Sequence, residues 1–372
     1  MPYYKPLEAF PVKERVHIIS SLQVLREYLK NELPVRTNRS TLLLSTWNLR
    51  EFSNSENRLE ESYWYIAEII SFFDLVAVQE IGNNMSALKK LMEILGYKFD
   101  FIVTDTPNVE GGNERIAFIF NIGKVKFKNI AGEISLDSKE QEKFGLPQGF
   151  ARPPFVVAFQ ASWFKFNLCN AHIYYGTNKK DSHTGEKDSL RREKEIRALA
   201  NKLNARGKRE DVTYILLGDL NIEKKDDPYY TALVGDKGNR TGFFIHPKKD
   251  ILFSNSNLNM AFDQIAFNMH NVTLKDLDIE EENNKVKMGV VNFYEAVFRD
   301  HDIYKPLAEA MYQRKGKTMP ENWSFETWRT FQMSDHLPLW IELKIDFTDQ
   351  YLETLKSKVE TVENEKTQIP KL

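Results

Sequence analysis

Two periods alternate in the apolar and polar positions along the chain. Between Val12 and Leu33, the residues Val16, Ile19, Leu22, Leu25 and Leu29 recur every three or four positions, which predicts an amphipathic helix ended by Pro34, packed on the body or on a partner. "TLLLSTWN" (41–48) then reads as a buried strand and "RLEESYWYIAEIISFF" (58–73) as a helix. "DLVAVQE" (74–80) reads as a strand and "NNMSALKKLMEILG" (83–96) as a helix stopped by Gly96.

Beyond Phe99 the pattern shortens to β runs parted by Gly, Pro and polar clusters: "ERIAFIFN", "KVKFKNIA", "FVVAFQASW" and "FNLCNAHIYY". A charged amphipathic helix, "DSLRREKEIRALANKLNAR", follows, and "VTYILLGDLNIE", "MAFDQIAFN" and "LPLWIELKI" supply further strands. The sum predicts a mixed-sheet α/β protein.

Two regions stand apart. Residues 268–332 are acidic around "DLDIEEENN" and aromatic-basic over "YKPLAEAMYQRKGKTMPENWSFETWRTF", too long for a plain loop, and are expected to form an insertion with helices of its own. The C-terminal stretch, 347–372, is charged and poor in apolar residues, as in a frayed helix or a disordered end. The expected organisation is a helical extension over 1–40, one large unit over 41–346 carrying the insertion, and the tail.

Composition narrows the classes. The 372 residues are 42% hydrophobic and 28% charged, enough to build a sizeable core. Lys and Arg number 51 against 53 Asp and Glu, a net charge of −2, so any nucleic-acid surface must be local. The single cysteine, Cys169, excludes an intramolecular disulfide and fits a reducing compartment. No leader pattern and no uncharged membrane-length stretch is found, so a soluble, cytoplasmic protein is expected, with no membrane and no obligate protein partner.

The informative feature is positional. Asn48, Glu80, His172, Asp219 and Asn221 each follow an apolar run, where α/β sheets form their sites. Asp263 and the Asp335-His336 pair sit at the amino ends of their runs, as expected if those strands run antiparallel to the rest. Asp219 and Asn221 are two apart and point to one side of an extended chain. The oxygens of Asn48, Glu80, Asp219, Asn221 and Asp335 suit magnesium, manganese or calcium, and two histidines add proton-transfer capacity. Taken singly, each is a turn former or a structural histidine. Together they describe a hydrolytic site for phosphate esters.

"STWNLREF", "VAVQEIGNN", "NERIAFIF", "ARPPFVVAF", "NAHIYYG", "LLGDLNIE", "AFDQIAF" and "MSDHLPLW" resemble, in order, the motif series of the endonuclease/exonuclease/phosphatase superfamily, most closely its DNase I-like deoxyribonucleases. The resemblance implies a four-layer α/β/β/α sandwich of two mixed sheets. It also implies that Asn48, Glu80 and Asp335 hold or support a divalent cation, with Asp219 and Asn221 binding metal or orienting water and phosphate. His172 would pair with Glu114 and His336 with Asp263, while Arg50 and Arg152 would contact the phosphate backbone. The implied activity is a metal-dependent phosphodiesterase acting on nucleic acid, DNA first. A phosphomonoesterase or phospholipid-type hydrolase and a non-catalytic binding module are the alternatives.

There are departures. Gly82 stands where the deoxyribonucleases have a DNA-reading arginine, and Gly112 where they have a minor-groove tyrosine. In the insertion, Lys305, Arg314, Lys315, Lys317, Trp323, Phe325, Trp328 and Arg329 interleave bases with aromatics. That suits either a single-strand track or a helix with buried aromatics and a solvated basic face. The basic run Lys179, Lys180, Lys187, Arg191, Arg192 and Lys194 either lines the same edge or is a charged helix start.

Overall fold

The computed structural model describes residues 2–35, 39–106, 114–176, 187, 189–236, 238, 240–245, 251–270 and 287–367, with 358–367 by backbone alone. Gly112, Lys179, Lys180 and the acidic part of the insertion lie outside them.

β1 (Thr41–Phe52) and β2 (Leu75–Gly82) run parallel, and β12 (Leu339–Lys344) pairs antiparallel with β1. With β3 (Phe99–Val103), β4 (Glu114–Asn121) and β11 (Met288–Val290) they form a six-stranded sheet in the order β11-β12-β1-β2-β4-β3. The second sheet holds β5 (Val125–Glu133), β6 (Phe155–Ala161), β7 (Phe164–His172), β8 (Tyr214–Asp219), β9 (Phe244–Ile245) and β10 (Asp263–Asn268). Its order is β5-β6-β7-β8-β10-β9, with β7 and β8 parallel and β10 antiparallel to β8.

Alternate residues of the central strands feed different layers, as the two-residue period requires. Leu42, Leu44, Leu75, Ala77, Leu168, Ile215, Leu217 and Ile265 point into the space between the sheets. Leu43, Trp47, Val76 and Val78 instead join the core under α1 (Val12–Glu32), α2 (Glu60–Ser71) and α3 (Ser86–Leu95). Ala171, Tyr214, Leu216 and Ala266 join a third core under α5 (Ser189–Glu210) and α6 (Pro228–Val234). The result is the four-layer α/β/β/α sandwich. A short helix, α4 (Ser138–Phe144), closed by a capping box between Asp137 and Glu140, adds to the second outer layer.

α1 lies against α2, and Arg26 and the Tyr4 hydroxyl both engage the buried Glu68 carboxylate. The buried stripe of α1 is Ile18, Leu22, Leu25 and Leu29; Val16 and Ile19 are 57% and 39% exposed. The expected face is therefore turned by about one position, because i−4 from Leu22 is as good a helical neighbour as i−3. Two helices, α7 (His301–Arg314) and α8 (Phe325–Gln332), precede β12. Tyr304, Ala308, Met311, Phe325 and Trp328 bury themselves in the first outer core. A further helix, α9 (Thr348–Thr367), follows β12. Among the described residues, no helix is long and apolar enough to cross a membrane.

Candidate active site

The strand pairing brings the polar ends together. His172 is in register with Asp219 across β7 and β8, and Asp263 is in register with Asp219 across β10 and β8. Asp219 therefore stands between them on one edge of the second sheet. Gly218 makes this edge possible: its φ is +136°, and a Cβ there would lie 2.0 Å from the Ala171 carbonyl oxygen on β7.

The first sheet contributes through an irregular edge. The β1–β2 register shifts between Asn48 and Phe52, and Arg50, Glu51 and Glu80 all have positive φ, at 42°, 48° and 60°. Such backbone conformations are costly for non-glycine residues and concentrate at functional sites. Asn48, fully buried, donates from Nδ2 to Glu80 Oε1 at 2.8 Å and to Asp219 Oδ2 at 3.1 Å. It presents amide protons to both carboxylates and so braces them across the two sheets. Glu80 also accepts from the Glu51 N–H at 2.8 Å.

Three groups converge on one oxygen. Asp219 Oδ2 lies 3.1 Å from Asn48 Nδ2, 3.5 Å from His172 Nε2 and 3.7 Å from His336 Nε2. The other carboxylate oxygen, Oδ1, accepts from the Asn221 N–H at 3.0 Å. Asn221, at φ 53°, gives one side-chain proton to the Ile173 carbonyl at 2.8 Å.

His336 is held from behind. Its Nδ1 is 2.8 Å from Asp263 Oδ2, which also accepts from Ser254 Oγ at 2.7 Å. Burial disfavours the imidazolium, but the Asp263 and Asp219 carboxylates outweigh it and raise the pKa of His336 to about 10. Burial pushes the Asp263 carboxyl up, and the imidazolium pulls it back. The pair is read as imidazolium and carboxylate. His172 Nδ1 is 3.1 Å from Glu114 Oε2, which Arg152 Nε approaches to 2.8 Å from the other side. Both are ion-pair contacts without hydrogen-bond geometry. Burial opposes the Glu114 charge, yet His172 and Arg152 hold its carboxyl below the usual range.

Arg50 and Asp335 sit at the outer rim. Arg50 Nη1 is 3.2 Å from Asp335 Oδ2 and engages Thr330 Oγ1, while its guanidinium lies 3.7 Å over the Phe331 ring. Asp335 keeps 42% of its side chain exposed. Of the predicted donors, Asn48, Glu80 and Asp219 are joined by hydrogen bonds, and Asp335 is joined to Arg50. Among the described residues, no three His, Cys, Asp or Glu side chains cluster tightly enough to hold a metal by themselves. Glu80 accepts two hydrogen bonds and Asp335 is half open, so lone pairs remain on both. Carboxylate oxygens of this kind are the hard donors that a divalent cation takes.

Two buried arginines brace the site, Arg58, which the sequence pattern did not single out, and Arg192, which it placed only in a basic run. Arg58 donates to the carbonyls of Leu49, Arg50, Phe331 and Met333, tying the end of β1 to the segment that delivers Asp335 and His336. Arg192 donates to the carbonyls of Asn221, at 2.8 Å, and Tyr175, tying the Asn221 loop to the segment after β7. The basic run thus divides: Arg192 is 2% exposed and structural, and Arg191 pairs with Glu195. The insertion divides too. Phe325 and Trp328 are core, and Arg329 packs 4.2 Å over Tyr294, whereas Lys315, Lys317 and Trp323 line an open cavity.

A sequence profile of the Endonuclease/Exonuclease/phosphatase family matches residues 45–265. Deoxyribonuclease gamma of Rattus norvegicus is 24% identical over 221 residues, 54% of this chain and 66% of that protein, so the match spans just under two thirds of the relative's length. Two solved structures of D. rerio TDP2, one humanized by 14 mutations and one complexed with single strand DNA product, each share 15% identity with a TM-score of 0.51. Each covers 82% of this chain and 99% of the other, and they show the fold. A profile match over more than half of the chain, on a sandwich whose two sheets meet at Asn48 and Asp219, places this protein in the Endonuclease/Exonuclease/phosphatase family.

Proposed function

We propose that the protein is a divalent-metal-dependent phosphodiesterase that hydrolyses nucleic acid, DNA in the first instance, by in-line attack of water. The observation that carries this reading is the meeting of His172, His336 and Asn48 on Asp219 Oδ2. A small anion beside Asp219 is within reach of the Nε2 atoms of both imidazoles. The likeness to a deoxyribonuclease supports the choice of a nucleic-acid substrate.

His336, kept as an imidazolium by Asp263, donates from Nε2 to the phosphoryl group as negative charge develops. Asp219, its Oδ1 fixed by the Asn221 N–H, orients the attacking water. His172 stands opposite His336 and closes the other side of the phosphate pocket, with Glu114 and Arg152 behind it. Arg50, aligned by Asp335 and Phe331, contacts the backbone phosphate beside the scissile bond. Glu80 and Asp335 would hold magnesium or manganese, calcium being the third candidate. When bound, the ion supplies neutralisation of the phosphate charge.

The test is a substrate panel of plasmid, single-stranded DNA, RNA and inositol phosphates with magnesium or with EDTA. Metal-dependent cleavage of nucleic acid that falls by at least about 10²-fold in Asp219→Ala supports the reading. Release of phosphate from inositol phosphates, with nucleic acid left intact, would replace it with a phosphomonoesterase.

A further inference from the structure

Next to this site, the segment joining α7 to α8 and the end of β1 enclose a cavity of about 550 Å³. Its size falls among sites for small organic ligands, roughly 300–1,000 Å³. The wall sets cations, Arg50, Lys315 and Lys317, among the rings of Tyr312, Trp323 and Phe331. Lys315 and Lys317 are exposed and have no carboxylate partner among the described residues; Lys315 holds only the Asn57 side-chain oxygen, at 2.9 Å. One carboxylate, Glu51, shares the wall with them. The Trp323 indole N–H is buried and finds no acceptor among the described residues, so the ring meets the cavity through its carbon edge or face. Phe331 leaves 38% of its surface open while Arg50 covers one face of its ring. Arg50 belongs to both places, since its guanidinium also reaches Asp335 at 3.2 Å. Whatever fills the cavity is therefore adjacent to whatever occupies the site.

We propose that this cavity is a nucleotide subsite: it seats one unpaired base of the strand being cut, and the adjoining backbone phosphates lie on Lys315 and Lys317. The proposal rests on the nuclease reading above and specifies its substrate as a single-stranded or frayed end. The rings and the lysines of the wall find their counterparts in such a ligand. Exposed ring faces stack on a base, and the lysines meet phosphate charge. A base inside a duplex is already stacked on both faces and must be extruded before it can enter.

Two readouts separate the subsite from the chemistry. In EDTA, binding of single-stranded oligo(dT) is followed by quenching of tryptophan fluorescence in the wild type and in Lys315→Glu/Lys317→Glu. The lysine pair is exposed, so its reversal leaves the fold intact. It is expected to weaken binding by at least about tenfold and to flatten the salt dependence. With magnesium, the same variant should lose a similar factor in kcat/KM on single-stranded oligonucleotides, yet hydrolyse bis(4-nitrophenyl) phosphate at the wild-type rate. Wild-type binding and cleavage by the lysine variant would overturn the subsite while leaving the nuclease intact. So would equal rates of the wild type on blunt duplex and single strand. Tight oligo(dT) binding that the lysine variant loses, in a protein that cuts nothing, would sink the nuclease reading and still support the subsite.

Discussion

Asp263, the first residue of β10, reaches His336 completely buried, with a 2.8 Å hydrogen bond and Ser254 holding the same oxygen. Glu114 reaches His172 from the first residue of β4, with 27% of its side chain exposed and its oxygen shared with Arg152. The two pairs use the same residue chemistry and differ in how much the fold leaves free. The Asp263 and Asp219 carboxylates hold the charge on His336 against the cost of burial, and the Asp263 hydrogen bond fixes its direction. A partly open carboxylate contested by an arginine gives His172 a place, with less control of its orientation. On this account the tightly held pair stabilises the phosphoryl group and the looser pair shapes the pocket.

The largest effect expected from breaking this comparison is loss of the imidazole itself. His336→Ala should lower kcat by about 10³-fold, measured as initial rates of plasmid or oligonucleotide cleavage with magnesium, with little change in KM. Asp263→Asn keeps the shape and removes the charge, and its expected loss is about 10²-fold. Glu114→Gln should cost only about tenfold. Equal losses in these two variants would erase the distinction between the pairs.

The pH profile sharpens the point. With His336 raised to about 10, the alkaline limb of kcat/KM in the wild type should lie near that value, because activity needs the protonated form. In Asp263→Asn the limb should move to lower pH by about 2 units, as expected for removal of a neighbouring opposite charge, whereas in Glu114→Gln it should stay.

A smaller effect concerns stability. The raised pKa of His336 contributes stability that is complete below the unfolded value of about 6.5 and fades as pH rises through about 10. The urea midpoint of the wild type should therefore fall between pH 7 and pH 10. His336→Gln should show a shallower decline over the same window.

Much of this site was legible because the central strands are apolar on both faces, and their polar ends stand out against that background. β2 and β8 appear as continuous apolar runs, β1 and β7 as largely apolar ones, and the antiparallel placement of Asp263 and of Asp335-His336 follows from where they sit on theirs. What periodicity could not show is the left-handed turn at Arg50 and Glu51 that carries β1 on to Phe52, since it depends on contacts made from outside the strand. The braces of Arg58 and Arg192 were hidden for a similar reason: most of their partners are backbone carbonyls, which any residue type supplies, and two of those of Arg58 lie more than 270 positions away. α4 was missed although Asp137 and Glu140 spell its capping box, because seven residues show too little of a period. Gly82 acquires a physical reason: a Cβ there would sit 2.5 Å from Ser53 Cβ, so the long basic side chain of the deoxyribonuclease pattern has no room.

The most direct test is the titration of the His336 ring followed by NMR in the wild type and in Asp263→Asn. An imidazolium that persists from pH 6 to beyond pH 8 in the wild type and loses its proton about 2 units lower in the variant is the predicted result. A neutral His336 ring at pH 7 in the wild type would contradict the account.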